Sequence, residues 1–182
     1  MRRLARFGIA LIAMVIGSSS QPGAAGAQCN ASGAGGTCNQ TGSVSMTAGR
    51  VVRLQMTSAS TALTTPTPTD FDAGFNATTG PTLTVSSNAA WTLHIRSAAA
   101  LWTATNTSPG APARTTKPAA DLRWSTAVAG TFTALTTTDV NLVTGAATAS
   151  NATTLFLHTF YSWTLDTPGN YSLAVVLTLT SP

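Results

Sequence analysis

Residues 91–96, Trp91-Thr92-Leu93-His94-Ile95-Arg96, alternate strictly between apolar and polar side chains. Successive side chains of a β-strand point to opposite faces, so Trp91, Leu93 and Ile95 share one face. The pattern therefore predicts a half-buried strand whose apolar face packs in a core. His94 alternates onto the other face with Arg96 and is expected at the surface.

The same period of two recurs along the chain, between clusters of Gly, Pro, Asn and Ser. It predicts further strands at residues 51–57, 82–86, 101–105, 121–125, 131–135, 140–143, 155–165 and 171–180. No segment after the first 27 residues sustains the apolar spacing of an α-helix. The sequence therefore predicts an all-β fold, an Ig-like antiparallel β-sandwich of about eight to nine strands.

The first 27 residues have the layout of a secretory signal peptide. A basic start is followed by an apolar run at residues 7–16 and by Ala25-Gly26-Ala27, an A-x-A cleavage site. The apolar run is shorter than the roughly 20 residues that span a bilayer. We expect a signal peptide at 1–27, a single domain at 28–182 and no membrane span in the mature chain. The expected location is secreted, extracellular or cell-surface, or the periplasm or outer surface of a Gram-negative cell.

Removal of the signal peptide changes the charge balance. The chain has 9 Lys+Arg and 5 Asp+Glu, and three of the arginines lie in the predicted signal, which leaves six basic residues against five acidic ones. A net charge of +1 without a basic stripe gives no reason to expect nucleic-acid binding.

Two cysteines, Cys29 and Cys38, bracket a glycine-rich stretch. In an exported chain such a pair is expected to form a disulfide. Asp70 and Asp72 would share one face of a strand and could hold Ca²⁺ with Asn76, but the pattern lacks the glycine and the distal glutamate of a calcium loop. We interpret them as solvated loop carboxylates and expect no metal or cofactor.

Residues that catalysis requires are scarce. The mature chain has no glutamate, and its two histidines are His94 and His158. His158 lies between two phenylalanines and is expected to be a partly buried packing residue. No serine occupies a G-x-S-x-G elbow and no glycine loop would cradle a phosphate, so we expect a protein that is not an enzyme.

The connection between the last two predicted strands is ambiguous. A two-residue loop at Pro168-Gly169 would place Trp163 opposite Ala174, whereas a loop of odd length would turn Trp163 into the core. Because burying several large side chains outweighs a turn preference, the sequence favours the odd loop. The expected core residues are Trp91, Leu93, Trp124, Trp163, Leu165, Tyr171, Leu177 and Leu179.

Two further features bear on ligand binding. Of the four tryptophans, Trp102 has the weakest pattern of apolar residues around it in the sequence. It is therefore the candidate for an exposed ring that stacks on a sugar. The proline-rich residues 106–119, which include Arg114 and Lys117, are expected to form an exposed crossover between strands.

Trp-Thr-Leu occurs twice, at 91–93 and at 163–165. With the signal peptide and the strand pattern, the pair resembles the WxL family of bacterial surface proteins, which carry one internal Trp-x-Leu and one near the C-terminus. Tyr171, Val175 and Leu179 match the family's terminal spacing, whereas Leu177 stands where a tryptophan is expected. The layout is also similar to secreted coat-protein-U-like and pilin-like sandwiches. The WxL resemblance implies a β-sandwich attached non-covalently to peptidoglycan.

These observations predict a non-enzymatic structural or adhesive protein of the cell surface or envelope. The expected partners are cell-wall or extracellular polysaccharide, or other surface proteins. A carbohydrate-binding module and a pilin-like fibre subunit remain as alternatives. For the latter, residues 28–42 lack the alternating apolar side chains of a donor strand.

Overall fold

The computed structural model describes residues 33–40, 42–107 and 112–182. It divides into two compact units, Met1–Thr47 and Ala48–Pro182. The described residues of the first unit are exposed and contain neither helix nor strand. The predicted signal peptide and Cys29 lie outside the described residues. Signal cleavage, the Cys29–Cys38 disulfide and the single domain at 28–182 therefore stay predictions.

The second unit is all-β, as predicted. Its strands are β1 Val52–Met56, β2 Phe75–Ser87, β3 Trp91–Ser97, β4 Thr103–Asn106, β5 Leu122–Ser125, β6 Thr133–Ala134, β7 Val140–Gly145, β8 Thr148–Phe160, β9 Gly169–Ser172 and β10 Val175–Thr180. A short helix, α1 Pro68–Ala73, precedes β2, and a 3-10 turn, Ala119–Asp121, precedes β5. The described part of the chain thus has ten strands, against the eight or nine predicted.

The strands form two main sheets and one two-stranded ribbon. The larger sheet has the order β1-β2-β8-β5-β6, the smaller has the order β10-β3-β7, and β4 pairs with β9. All of these pairings are antiparallel. The two 13-residue strands β2 and β8 lie side by side at the centre of the larger sheet.

Apolar side chains of both sheets meet in one core, which makes the arrangement sandwich-like. In β3 the buried and partly buried residues alternate along the whole strand, as the opening hexapeptide predicts. The core cluster contains Leu83, Val85, Trp91, Leu93, Ile95, Trp102, Leu122, Trp124, Leu135, Leu155 and Leu157, and Tyr171, Leu177 and Leu179 pack against it partly buried.

Trp91 is the largest of the fully buried side chains and packs over a glycine. It pairs with Gly145 across β3 and β7, and its Nε1 donates to the carbonyl oxygen of Ala146 at 2.8 Å. A Cβ at position 145 would lie 2.5 Å from Cζ2 of Trp91. The indole therefore occupies the space that any side chain at position 145 would need.

Gly145→Ala is expected to lower the free energy of unfolding by about 1–3 kcal/mol, because the added methyl group overpacks the Trp91 site. Denaturant unfolding measures the change. Gly49→Ala is the matched control, since a Cβ there has no heavy atom within 4 Å. Equal losses in the two variants would contradict the packing argument.

The predicted C-terminal hairpin is wrong. β8 ends at Phe160, and residues 161–168 form a loop. The segment predicted as one strand is two, of which β9 pairs with β4 and β10 pairs with β3. The physical reason is that residues 156–159 of β8, where a hairpin would begin, already pair with β2 on one edge and with β5 on the other, so a further strand has no edge to join there. Neither an even nor an odd hairpin loop forms.

The core positions predicted for the second Trp-Thr-Leu copy are therefore wrong as well. Trp163 is 61% exposed and Leu165 is 55% exposed. Both lie in a turn in which the Asp166 amide donates to the carbonyl oxygen of Ser162 at 2.9 Å.

His158 of β8 packs among aromatic rings, as predicted. Its ring stacks on Phe132 with centroids 3.5 Å apart and lies 4.6 Å from the ring of Phe75. Arg123 is its register partner on β5. Burial lowers the pKa of His158 below its ordinary value of 6.5, because desolvation disfavours the charged imidazolium.

Stability is expected to fall as the pH drops below about 6.5. Below that value the unfolded chain takes up a proton at His158 more readily than the folded one, which favours unfolding. Urea unfolding near neutral pH and about two units lower measures the loss. His158→Phe should flatten this dependence, and His94→Gln is the matched histidine control that should retain it. A slope unchanged in His158→Phe would refute the assignment.

Candidate functional site

An open cleft of about 700 Å³ lies beside the loop that connects β8 and β9. Residues 63–66 and Phe71 of α1 line one part of it, residues of the 161–171 segment line another, and Trp102, Lys117 and Thr159 complete the lining. We call it the Trp163 cleft. Its lining includes the aromatic residues Phe71, Trp102, Tyr161, Trp163 and Tyr171, together with the charged residues Lys117 and Asp166.

Helix α1 is short but well capped. The Thr67 side chain accepts from the Asp70 amide, while Oδ2 of Asp70 accepts from the Thr67 amide and hydroxyl, each at 2.7 Å. Pro68 starts the helix and Gly74 ends it with φ of 78°. The hydrogen bonds from Thr67 hold the pKa of Asp70 below its usual value.

The helix corrects the interpretation of Asp70 and Asp72 as loop carboxylates. Asp70 completes a capping box, and Asp72 accepts a hydrogen bond from Nε1 of Trp163 at 3.0 Å. The shared strand face that a calcium site would need is absent, because these residues are helical. The sequence signal was readable: Thr67-Pro68-Thr69-Asp70 has a capping residue, a proline at the first helical position and an acidic residue three positions after the cap.

Trp163 stands at the rim of the cleft and is held in place by α1. Its ring lies 4.6 Å from the ring of Phe71, centroid to centroid, and Phe71 in turn lies 5.4 Å from Tyr161. Together with the hydrogen bond to Asp72, these contacts fix the orientation of the indole. Most of its surface nevertheless faces solvent.

Under the cleft lies an ionic cluster of Arg114, Lys117, Asp121 and Asp166. Nζ of Lys117 is 2.9 Å from Oδ1 of Asp166 and 3.3 Å from Oδ2 of Asp121. Nη1 of Arg114 contacts the same two oxygens at 3.1 and 3.3 Å. Two cations thus compensate two carboxylates, which is the condition for burying such charges.

Hydrogen bonds join this cluster to the surrounding loops. Lys117 also donates to the carbonyl oxygen of Phe160 at 2.7 Å. The Arg114 amide donates to Oη of Tyr171, and that hydroxyl donates to the carbonyl oxygen of Thr167 at 2.7 Å. The half-buried Tyr161 ring lies 5.2 Å from Nζ of Lys117, and burial raises the pKa of Tyr161.

The expectation that residues 106–119 form an exposed crossover is wrong for its described second half. Lys117 is 1% exposed, and Ala113 and Ala119 are buried. No local motif signals the cluster, because Lys117 and Asp166 are 49 residues apart in the chain.

Trp102, the predicted sugar-stacking residue, is 5% exposed, so that prediction is wrong. Its Nε1 donates to the carbonyl oxygen of Pro118 at 3.0 Å. A β-bridge between Leu101 and Pro118 closes the same segment over it. The exposed tryptophan of the described chain is Trp163 instead.

Chemically, the cleft offers aromatic surface and hydrogen-bonding groups. The carboxylates of its ionic cluster are both engaged by cations. In the described residues no group of three or more His, Cys, Asp or Glu side chains is placed to hold a metal ion. Within the same ranges, no helix has the length and hydrophobicity needed to cross a membrane.

The chain matches no known family model, and no curated protein is significantly similar to it. The similarity to WxL proteins therefore rests on the two short motifs and the strand pattern.

A soluble quencher is expected to reach one of the four tryptophans. Trp91, Trp102 and Trp124 are buried, so acrylamide should quench an accessible fraction of the emission that comes from Trp163. Trp163→Phe should remove that fraction, and Trp102→Phe, the matched control, should keep it. Complete shielding of the wild-type emission would contradict the exposed position of Trp163.

Proposed function

We propose that this protein is a non-enzymatic, secreted component of the cell surface or envelope that binds polysaccharide in the Trp163 cleft. The observation that carries the proposal is the orientation of Trp163. An exposed indole, fixed by Asp72 and Phe71 at the rim of a cleft, is a preformed surface for the flat face of a sugar ring.

The chemistry of sugars fits this surface. The face of an aromatic ring is electron-rich and attracts the weakly positive C–H groups of a pyranose. The lining residues Thr64, Thr65 and Asn170 offer hydroxyl and amide groups for sugar hydroxyls. A cleft of about 700 Å³ has the size of a typical small-molecule site, enough for one or a few sugar rings.

The charge of the site favours a neutral glycan. The ionic cluster balances its two carboxylates with Arg114 and Lys117, so the floor presents no excess charge to a ligand. The predicted mature chain also has a net charge near zero. A strongly anionic or cationic polymer would gain little from long-range attraction to such a surface.

The two Trp-Thr-Leu copies have different roles in this proposal. Trp91 of the internal copy is 2% exposed and serves the core, whereas Trp163 of the second copy is available to a ligand. The signal peptide would export the protein, and the Cys29–Cys38 disulfide would suit that oxidising environment.

Trp163→Ala is expected to weaken polysaccharide binding about tenfold, which corresponds to about 1.4 kcal/mol. Co-sedimentation with purified cell walls, peptidoglycan and insoluble neutral polysaccharides measures the affinity. Leu165→Ala is the matched control, because Leu165 lies in the same turn, is similarly exposed and does not line the cleft. Equal affinity of wild type and Trp163→Ala would refute the role of the cleft.

The location is tested by fractionation of the producing cells. The mature protein is expected in the wall or whole-cell fraction, and mild washing should not remove it. The proposed surface role fails if the protein stays wholly in the culture fluid and binds none of the polysaccharides.

A further inference from the structure

We propose that Lys117 and Asp166 become joined by an isopeptide bond, an amide between their side chains, beneath the Trp163 cleft. The reacting groups are already in contact, with Nζ 2.9 Å from Oδ1, and the two side chains are 2% and 6% exposed. Holding an amine against a carboxyl group replaces a bimolecular encounter. A site that excludes bulk water also favours condensation, because water is the product.

The bond forms by a condensation that needs no other reactant. The Lys117 ammonium gives one proton to Asp121, whose Oδ2 lies 3.3 Å from Nζ. The nitrogen lone pair then attacks Cγ of Asp166 and forms the C–N bond. Asp121 carries this proton, and afterwards the second proton that the nitrogen releases, to Oδ1, which leaves as water. One ammonium and one carboxylate become one amide and one water, and Asp121 returns to its starting state.

The atoms that remain after this step keep hydrogen-bond partners. The new amide N–H replaces the Lys117 ammonium as the donor to the carbonyl oxygen of Phe160, now 2.7 Å from Nζ. The remaining oxygen of Asp166, Oδ2, becomes the amide carbonyl and still accepts from the Ser162 amide, at 2.8 Å in the structure. The product therefore leaves neither end of the amide unsatisfied, which a buried polar group requires.

The charges also remain compensated. Before the step, Arg114 and Lys117 balance Asp121 and Asp166; after it, Arg114 balances Asp121 alone at 3.3 Å. A buried ion pair pays for desolvation of both charges, and a neutral amide removes that cost. Arg114 is thus a positioning residue that keeps the remaining carboxylate paired.

The bond would tie together two segments that are distant in sequence. Lys117 precedes β5, and Asp166 lies in the loop between β8 and β9, which carries Trp163. A covalent link across 49 residues restricts the unfolded chain and anchors the cleft loop to the sandwich.

Mass spectrometry of the full secreted chain, reduced and denatured, tests the proposal. The expected mass is about 18 Da below that calculated for the mature residues 28–182, because one water is lost. Trypsin locates the link, since Arg123 is the one cleavable site between Lys117 and Asp166; Pro118 protects Lys117 itself. Residues 115–123 and 124–182 should therefore stay joined after complete digestion. A wild-type chain of full mass that gives two separate peptides overturns the proposal and leaves an ion-pair network only.

Variants assign the roles of the residues. Lys117→Met is expected to restore the full mass, and so is Asp121→Asn, which removes the proton carrier. Asp139→Asn is the matched control, because Asp139 pairs with Arg96 at the surface, and it should keep the loss of water. A linked Lys117→Met chain would overturn the proposal, and a fully linked Asp121→Asn chain would overturn the role of Asp121. Poor folding of a variant leaves the wild-type mass as the deciding measurement.

Discussion

The pairing of β8 on both of its edges constrains the rest of this fold. β2 occupies one edge and β5 the other, so the chain that leaves β8 at Phe160 has to cross to other strands. It does so through residues 161–168 and then pairs with β4 and β3. That crossing turns Trp163 outward and Asp166 inward. The exposed Trp163 and the buried Asp166 both follow from the pairing of β8 with β2 and β5.

The crossing loop is held by unlike interactions on its two sides. Outside, Trp163 contacts the six-residue helix α1 through Asp72 and Phe71. Inside, Asp166 is tied to Lys117 and Arg114, and its Oδ2 accepts from the Ser162 amide of the same loop. Loops are the usual carriers of binding residues, and their precision depends on such anchors. Contacts on both sides therefore hold the loop that carries Trp163.

Local sequence patterns correctly predicted the features that depend on a single strand. The alternation in β3 placed Trp91 and Leu93 in the core because a strand has two faces and one of them is apolar. The absence of a C-terminal hairpin could not be predicted from local patterns, because it depends on which strands pair with β8 in the assembled sheet. Helix α1 is an intermediate case: its capping box is local, but a six-residue helix has no apolar periodicity to reveal it.

The candidate site was the hardest part to predict. Trp102 was predicted to be exposed and Trp163 to be buried. The structure shows the opposite, because the segment at Pro118 covers Trp102 while a turn exposes Trp163. Lys117 and Asp166 meet only in the folded chain, so no spacing rule finds them. Alternation along a strand identifies its two faces, whereas the exposure of Trp163 and the burial of Lys117 depend on which loops meet in the folded chain.

The capping box of α1 depends on a carboxylate that stays charged in mild acid. Hydrogen bonds from Thr67 hold the pKa of Asp70 below its ordinary value of 3.8, so mild acid leaves this carboxylate charged. Protonation of His158, on a strand of the larger sheet, begins to favour the unfolded chain once the pH falls below about 6.5. The capping carboxylate thus stays charged at acidities where protonation of His158 already favours the unfolded chain. Mild acid would therefore weaken the larger sheet before it weakened the cap of the helix that holds Trp163.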